Sequence, residues 1–517
     1  MRPADVWQKL IKYMDKPVKA GFFAAFVIGL LVHMPVMLSD IPNHDGLDSI
    51  YFDQNMVTSG RWFLTVACGI SSYFSLPWLI GLLGLFYLAV AAAALAGFLE
   101  LKRTSTGVLT GGLLVAFPAL ASTFAYVFTL DGYMLGLLLA VLAPFCAKTW
   151  KRGFVAGGIC LAFSLGIYQA YLPFAMLLSL YGAVMVLLAE GTVREKVSGI
   201  LRYIYMGGIG VGLYYVLLRL LLRIQGKELA SYQGISGMGE VEKSGFLQSI
   251  KQIYVDFGAF MLRGNVLSQN LYSALSLAVL TLLAVWAVAR VIKAKKLWKS
   301  LWFYALLVGI LLLAPICTSV ILLISPEVTY HLLMRYQWVL YLILAAALAE
   351  KYLSEAGGKT GVAVQWLLPV ALGCLVLCYT VTDQIAYSNL EKKYEKTYAL
   401  CLRLADRMEQ TPGYEQGMPV AMIGVVGDQQ YPVTDVTEHV TASMIGMGGD
   451  YLLYTRTNYQ AFFKHYLGIT MELVSDEEMV RIYESPEYQA MGSFPASDSV
   501  QVVDGVLYVK LENSEVN

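Results

Sequence analysis

The residues best suited to chemistry lie between positions 40 and 62. This stretch contains one histidine, one arginine and four aspartates: His44, Arg61, Asp40, Asp45, Asp48 and Asp53. Asp45 and Asp48 are three residues apart, so a helical turn would place both carboxylates on one face. Such a pair could take part in acid–base chemistry, cap a short helix through Asp45 or Asp48, or bind a metal together with His44. A metal site would lack a second histidine, so none is assigned.

Two further polar positions stand beside apolar runs. Asp131, in the sequence Phe128–Tyr133, comes directly before a long apolar run, where it could be a functional carboxylate or an N-cap. The segment Tyr168-Gln169-Ala170-Tyr171 separates two apolar runs. An aromatic belt at the membrane surface would explain its tyrosines but not Gln169, whose amide suits sugar hydroxyls.

Cationic side chains mark two more segments. Arg335 lies in Tyr330–Trp338, which also contains His331, at the start of an apolar run. An unpaired cation there would be costly, so Arg335 either reaches the interface or meets an anion such as phosphate. The long segment 223–270 contains a Gly-rich part at 226–245, predicted to be mobile. It continues into an amphipathic helix at 246–260 and then Arg263.

Composition indicates the environment in which these residues work. Hydrophobic residues make up 57% of the 517 and charged residues 14%, with a mean hydropathy of +0.60. This excludes a disordered chain, a fibrous repeat and a soluble multidomain enzyme, and it indicates a polytopic helical membrane protein. The seven cysteines form no CxxC pair and are interpreted as small apolar residues.

Apolar runs long enough to cross a bilayer predict about eleven spans. They lie near 20–38, 76–98, 106–124, 131–147, 153–167, 172–189, 203–222, 271–289, 301–324, 336–349 and 361–382. The first is interpreted as a retained signal-anchor rather than a cleaved signal peptide, because it is long and no small-x-small cleavage site follows.

Loop charge predicts the orientation of these spans. With the N-terminus in the cytoplasm, the inner segments carry 20 Lys and Arg residues and the outer ones seven. Residues 39–61 and 223–270 are then outer loops, and an odd number of spans places the C-terminus outside. Residues 1–382 carry 28 basic and 17 acidic residues, whereas 383–517 carry 9 and 20. The second part is therefore predicted to be a separate extracytoplasmic domain.

Local patterns give this C-terminal domain a small α/β fold. Helical spacing covers 382–410, a buried strand follows at 419–426, and a second helix covers 459–467. Residues 501–511 predict two paired strands around Asp504-Gly505. The sequence contains no nucleotide-binding glycine loop, nucleic-acid-type basic patch or Cys/His metal spacing.

Taken together, the order of these motifs resembles the GT-C-type membrane glycosyltransferases, and more closely the bacterial serotype-converting glucosyltransferases of the GtrII-like group. The resemblance covers roughly residues 15–390. It rests on the motifs His44–Asp48, Ser59–Trp62, Asp131, Tyr168-Gln169 and Arg335-Tyr336. Members often have adjacent acidic residues after the first span. Here Asp45 and Asp48 are separated, which leaves the catalytic one open.

The resemblance implies an inverting transfer of glucose or a related hexose from a polyprenyl-phosphate carrier to a cell-envelope glycan, outside the bacterial cytoplasmic membrane. It implies the following roles: Asp45, Asp48 and Asp131 as catalytic carboxylates; Arg61, Arg335 and Arg263 as ligands of the lipid phosphate; and His44, Tyr168, Gln169 and His331 as sugar or acceptor contacts. No cofactor is implied. A divalent metal is compatible with the chemistry but not indicated.

Two other classes of protein remain open. A transporter or flippase for a lipid-linked glycan would need polar residues near the bilayer midplane, whereas here they gather at the predicted outer surface. A non-catalytic assembly or anchoring protein would use residues 383–517 as its working part. Neither class includes nucleic acid among its partners.

Overall fold

The computed structural model of the chain describes residues 14–48, 50, 53–69, 71, 74–230, 243–263, 266–325, 328–353, 359–426, 438–441, 444 and 451–511. These residues are mostly helical and fall into two compact units. The membrane unit contains the described residues within 1–38 and 53–384. The terminal unit contains those within 39–52 and 385–517.

Helices occupy the described chain in the following order. They are α1 (Lys16–Leu38), α2 (His44–Asp48), α3 (Leu64–Ala67), α4 (Pro77–Leu99), α5 (Thr104–Ala116), α6 (Pro118–Phe124), α7 (Leu130–Thr149), α8 (Gly153–Ile167), α9 (Leu172–Leu188), α10 (Val193–Gln225), α11 (Lys243–Arg263), α12 (Leu271–Ala294), α13 (Leu301–Thr318), α14 (Ile321–Ile324), α15 (Val339–Leu353), α16 (Lys359–Glu409), α17 (Glu438–Thr441), α18 (Arg456–Phe462), α19 (Asp476–Tyr483) and α20 (Pro486–Ala490).

Eight helical segments of the described chain are long and apolar enough to cross a membrane, which indicates a membrane protein. They are Lys16–Leu38, Pro77–Leu99, Val127–Thr149, Gln169–Leu188, Val193–Gln225, Leu271–Ala294, Leu332–Leu353 and Gly361–Glu409. The pair α5 and α6, bent by 49°, would be a ninth, and the apolar helices Gly153–Ile167 and Phe303–Thr318 are shorter. Each of the eleven predicted spans thus contains a helix, but their number and orientation in a membrane stay predictions.

Small residues and one proline shape the packing around the first span. A Cβ added to Gly111 of α5 would lie 2.5 Å from the backbone oxygen of Gly21 in α1, so these helices approach more closely than larger side chains would allow. Phe117 is extended and Pro118 begins α6. Because a proline ring excludes its predecessor from the helical conformation, the apolar run bends here.

In the terminal unit, a four-stranded sheet has the order β2 (Glu472–Leu473), β1 (Pro419–Ile423), β4 (Val506–Lys510), β3 (Val500–Val503). The strand β1 is parallel to both of its neighbours, and β3 and β4 form an antiparallel hairpin. Both turn residues of this hairpin, Asp504 and Gly505, have positive φ, as a tight two-residue turn requires. The predicted strands at 419–426 and 501–511 are confirmed, as are the helices at 382–410 and 459–467.

The amphipathic helix predicted between α10 and α12 is present in the structure. Residues 246–260 lie within α11, so the amphipathic pattern identified a real element. The mobility predicted for 226–245 falls largely on residues 231–242, which lie outside the described residues.

Candidate functional site

A cluster in the membrane unit forms around Arg61. Its Nη1 donates a hydrogen bond to the hydroxyl of Tyr133 at 3.1 Å, and its guanidinium carbon lies 5.0 Å from the centroid of the Tyr168 ring. The rings of Tyr133 and Tyr168 are stacked, with centroids 4.6 Å apart and planes within 6°. The turn after 57–59, the first turn of α7 and the end of α8 therefore combine to orient one guanidinium. Such a group suits the binding of an anion.

The backbone that carries Arg61 is fixed by side chains from two other elements. Gln169 donates from Nε2 to the Ser59 oxygen at 3.2 Å and to the Tyr214 hydroxyl at 3.0 Å. Tyr214 in turn donates to the Gly60 oxygen at 3.2 Å. In this arrangement Gln169, predicted as a sugar contact, positions the turn that presents Arg61.

Gly60 gives a direct test of this turn. Its φ is +76°, and an added Cβ would lie 2.5 Å from Gln169 Nε2 and 2.7 Å from the Tyr214 hydroxyl. We expect Gly60→Ala to lower the free energy of unfolding by about 1–2 kcal/mol through backbone strain alone. By moving Arg61, it should also lower the sugar transfer that the sequence predicts. Gly212→Ala in α10 is the matched control, since nothing lies within 4 Å of its added Cβ. Equal activity in the two variants would contradict a functional role for the turn.

Asp131 lies buried at the start of α7, with 2% of its surface exposed. Its carboxylate accepts a hydrogen bond from the Ser71 hydroxyl at 2.8 Å and from the backbone N–H of Gly132 at 2.9 Å. The N-cap position belongs to Thr129, so the alternative interpretation of Asp131 as an N-cap is wrong. Asp131 remains in the first turn, where a carboxylate offsets the helix dipole.

Arg335 meets an anion within the protein. It forms a two-pronged ion pair with Asp256 of α11, through Nη1–Oδ2 at 2.8 Å and Nη2–Oδ1 at 2.6 Å. The guanidinium also lies 4.0 Å from the centroid of the Tyr330 ring, and the Ser319 hydroxyl donates to Asp256 at 3.3 Å. The side chains of the pair are 13% and 14% exposed. Arg335 is therefore fixed by an ion pair within the protein and does not extend to the membrane–water interface.

The two remaining predicted residues of this unit differ in burial. Arg263, in the last turn of α11, is exposed, and no ion pair involves it among the described residues. His331 is half-buried just before the span that begins at Leu332. Burial, together with the nearby Arg335 charge, lowers the pKa of His331. At neutral pH His331 is therefore an uncharged imidazole that can exchange hydrogen bonds with hydroxyl groups.

In the terminal unit, the five-residue helix α2 contains His44, Asp45 and Asp48. The backbone N–H of Gly46 donates to the Asn43 side chain at 2.7 Å, and the N–H of Leu47 donates to the Asn43 backbone oxygen at 3.0 Å. Asn43 thus caps this helix, and the alternative that Asp45 or Asp48 is the N-cap is wrong. Both carboxylates are left for other roles.

These two carboxylates have different surroundings. Asp48 Oδ2 accepts a hydrogen bond from Asn458 Nδ2 at 3.1 Å, and the same nitrogen donates to the His44 backbone oxygen at 3.1 Å. Burial raises the pKa of Asp48. Asp45 instead has a side chain that is 55% exposed, with Oδ1 3.5 Å from His44 Nε2. Both residues are exposed. Asp48 in addition fastens α2 through Asn458, which leaves Asp45 as the carboxylate without this tie.

His44 is an uncharged partner for Asp45 at neutral pH. Burial lowers the pKa of His44, although the charge of Asp45 opposes this shift. The imidazole also packs edge-on against the Tyr454 ring, with centroids 4.8 Å apart. His44 therefore lies between the exposed carboxylate of Asp45 and the ring of Tyr454.

Asn458, which is 2% exposed, should be a positioning residue for α2. We expect Asn458→Ala to destabilise the protein by about 1–3 kcal/mol, because the buried amide makes hydrogen bonds to Asp48, to the His44 oxygen and from the Tyr454 N–H that alanine cannot replace. The loss should also raise the pKa of Asp48 further. Because the pKa of Asp48 is raised in the folded state, its protonation contributes stability that is present below the unfolded pKa and is lost as pH rises through the folded pKa. In Asn458→Ala this fall in stability should therefore occur at higher pH. Thermal unfolding against pH tests this, with Lys464→Ala as the exposed control; identical pH profiles would contradict it.

Several residues of these clusters were not identified from sequence. They are Tyr133, Tyr214, Asp256 and Asn458; the buried Asp383, outside these clusters, was not identified either. Asp256 is the only acidic residue of the predicted helix at 246–260, a signal that could have paired it with Arg335. Asp383 directly follows the last predicted span. It is fully buried, and neither carboxylate oxygen has a hydrogen-bond partner among the described residues.

The described residues contain no group of three or more His, Cys, Asp or Glu side chains able to hold a metal ion. His44, Asp45 and Asp48 are thus not gathered as metal ligands, and the clusters consist of cations, carboxylates and aromatic rings. Groups of these types are suited to anion binding and proton transfer.

Comparison with known proteins adds the family. The family model described as glucosyl transferase GtrII matches residues 34–348, more than half of the chain. All ten residues proposed from sequence lie within this range. The chain has no match among curated proteins or among solved structures. With its apolar helices and this match, the chain belongs to the GtrII glucosyltransferase family.

Proposed function

We propose that this glucosyltransferase takes glucose, or a related hexose, from a polyprenyl-phosphate carrier at the outer face of the bacterial cytoplasmic membrane. The acceptor is a cell-envelope glycan, and the membrane unit has a GT-C-type fold. The observation that carries the proposal is the guanidinium of Arg61, oriented by Tyr133 and Tyr168 at one end of the span α7. An arginine at the end of a span suits a phosphate held at a membrane surface.

The reaction requires only a base and a positively charged group for the leaving phosphate. A base removes the proton of an acceptor hydroxyl, its oxygen attacks the anomeric carbon, and the carrier phosphate leaves with the electrons of the broken bond. The leaving phosphate is already a stable anion, so it needs a positive clamp rather than a general acid. A single displacement inverts the anomeric centre.

We assign the base to Asp45, since its carboxylate is exposed and that of Asp48 is engaged by Asn458. Asp48 then fastens the helix through Asn458, and Asp131 orients the acceptor. Arg61 is the first ligand of the phosphate. Arg335 can join it only when its ion pair with Asp256 opens or is shared.

The remaining residues are assigned to the phosphate, the sugar or the acceptor according to their position and charge. Arg263 is an exposed cation at the end of α11 and would contact the phosphate from there. The uncharged imidazoles of His44 and His331 and the polar atoms of Tyr168 and Gln169 would contact the sugar or acceptor. The orientation, with the N-terminus inside and the terminal unit outside, is supported by the excess of basic residues in the predicted inner loops.

A transfer assay with purified protein tests this function. Cell-envelope fractions are incubated with radiolabelled undecaprenyl-phosphate glucose or with labelled UDP-glucose. We expect label to leave the lipid and not the nucleotide, and the product to have the inverted anomeric configuration by NMR. Direct use of UDP-glucose, or retention of configuration, would contradict the proposal.

A further inference from the structure

Two cavities adjoin at the end of the membrane unit that is remote from Arg61. The first has a volume of about 320 Å³ and lies among α9, α12, α13 and α15. Its lining is aliphatic and aromatic, with residues such as Leu180, Val291, Ile310 and Leu344. A chamber of this character suits a hydrocarbon chain.

The second cavity has a volume of about 410 Å³ and is lined by charged side chains as well as apolar ones. It is formed by the turn at 99–103, between α4 and α5, and by the last residues of α15. Tyr352 lines both cavities. A ligand with a polar head and an apolar tail could therefore occupy the two together.

The charge of this second cavity determines which kind of headgroup it can bind. Three basic side chains line it, Lys102, Arg103 and Lys351, against two acidic ones. Glu350 Oε1 accepts hydrogen bonds from the backbone N–H groups of Lys102 at 2.6 Å and Arg103 at 3.2 Å.

The other acidic residue, Glu100, forms an ion pair with Lys148 at 2.8 Å and with Lys351 at 3.4 Å. Both carboxylates are thus engaged within the protein, as are the two lysines paired with Glu100. With Lys148, which lies beside the cavity and not in its lining, four basic side chains stand against two acidic ones. The cavity is complementary to an anion.

The position of this site separates it from the proposed transfer chemistry. Asp131 lies in the first turn of α7 and Lys148 in its last turn. At 1.5 Å per residue, the two lie about 25 Å apart along the helix axis. The loops at this end, 99–105 and 148–152, are among those whose basic residues predict a cytoplasmic location, and anionic lipids are concentrated in that leaflet.

We propose that the two cavities bind one membrane phospholipid with an anionic headgroup. The phosphate would lie against Lys102, Arg103 and Lys351, and an acyl chain would enter the apolar cavity past Tyr352. Basic pockets between spans on the cytoplasmic side are suited to such headgroups. The site would hold a structural lipid and take no part in the sugar transfer.

Lipid binding by the purified full-length protein tests the proposal. Thermal stabilisation and retained phosphorus are measured with phosphatidylcholine vesicles, with and without phosphatidylglycerol. We expect a preference for phosphatidylglycerol that falls about fivefold for each basic side chain removed in Lys102→Gln and Arg103→Gln, since each contributes about 1 kcal/mol near an anionic surface. The matched control is Lys151→Gln with Arg152→Gln, exposed in a neighbouring loop of the same predicted side.

Two further measurements separate binding of the acyl chain from binding of the headgroup, and a phospholipid from the sugar carrier. Val184→Trp, which fills the apolar cavity, should abolish retention of the phospholipid while the full set of basic residues remains. If that variant fails to fold, the charge variants still decide. Equal loss in the control pair, or no preference for phosphatidylglycerol, would overturn the proposal. So would displacement of phosphatidylglycerol by undecaprenyl phosphate, because the site would then belong to the sugar carrier.

Discussion

Asp45→Asn should lower the rate of sugar transfer by about two to four orders of magnitude while leaving thermal stability nearly unchanged. An amide has the shape of the carboxylate but cannot take the proton of the acceptor hydroxyl, and a positioned base contributes about this much. Stability should be preserved because the side chain is 55% exposed. Single-turnover transfer from labelled undecaprenyl-phosphate glucose measures the effect.

Two other aspartates of the same segment serve as comparisons. Asp53→Asn is the control: this residue is exposed, and its carboxylate accepts a hydrogen bond from the neighbouring Asn55 N–H, so transfer should stay close to the unchanged protein. Asp48→Asn should act mainly on stability, since Asp48 fastens α2. A large loss of transfer in Asp48→Asn at normal stability, with Asp45→Asn active, would exchange the two roles.

Breaking the ion pair between Arg335 and Asp256 should have the largest effect on stability. We expect Asp256→Asn and Arg335→Gln each to cost about 3 kcal/mol, because each leaves a largely buried charge without its partner. The double variant removes both charges and should cost less than the sum of the two. Thermal unfolding of the four proteins gives the coupling energy.

Lys251→Gln is the matched control for this cycle, since it removes an exposed charge from the same helix, α11. Additive effects in the double variant would mean that the pair is not coupled. Transfer assays add a second result. If Arg335 also binds the donor phosphate, Asp256→Asn should lower the donor KM and Arg335→Gln should raise it.

Several elements were predictable from sequence because their causes are local. Apolar runs that must satisfy their own backbone in a membrane form helices, and each of the eleven predicted segments contains one. The Asp504-Gly505 turn was predictable because its two positive φ angles favour these residue types. Arg61, Tyr168 and Gln169, each predicted to lie at the same membrane surface, are close together because short turns between spans place their residues at one end of a bundle. Their roles stay predictions.

Other features depend on contacts between distant residues. The partner of Arg335 is Asp256, 79 positions away, and that of Asp48 is Asn458, 410 positions away. A local pattern shows that a cation or carboxylate needs a partner, but not which helix will deliver it. The sequence left open the alternative that an aspartate caps α2, because Asn43 and Asp45 are equally able to accept a backbone hydrogen bond.

The sequence by itself determined that this chain is a helical membrane protein with polar groups beside its spans, because hydrophobicity and turn preference act over a few neighbouring residues. The tertiary structure alone decided which of those groups are held and which are accessible. It pairs Arg335 with Asp256 and ties Asp48, but not Asp45, to Asn458. Burial and hydrogen bonding depend on side chains that only the folded chain brings together.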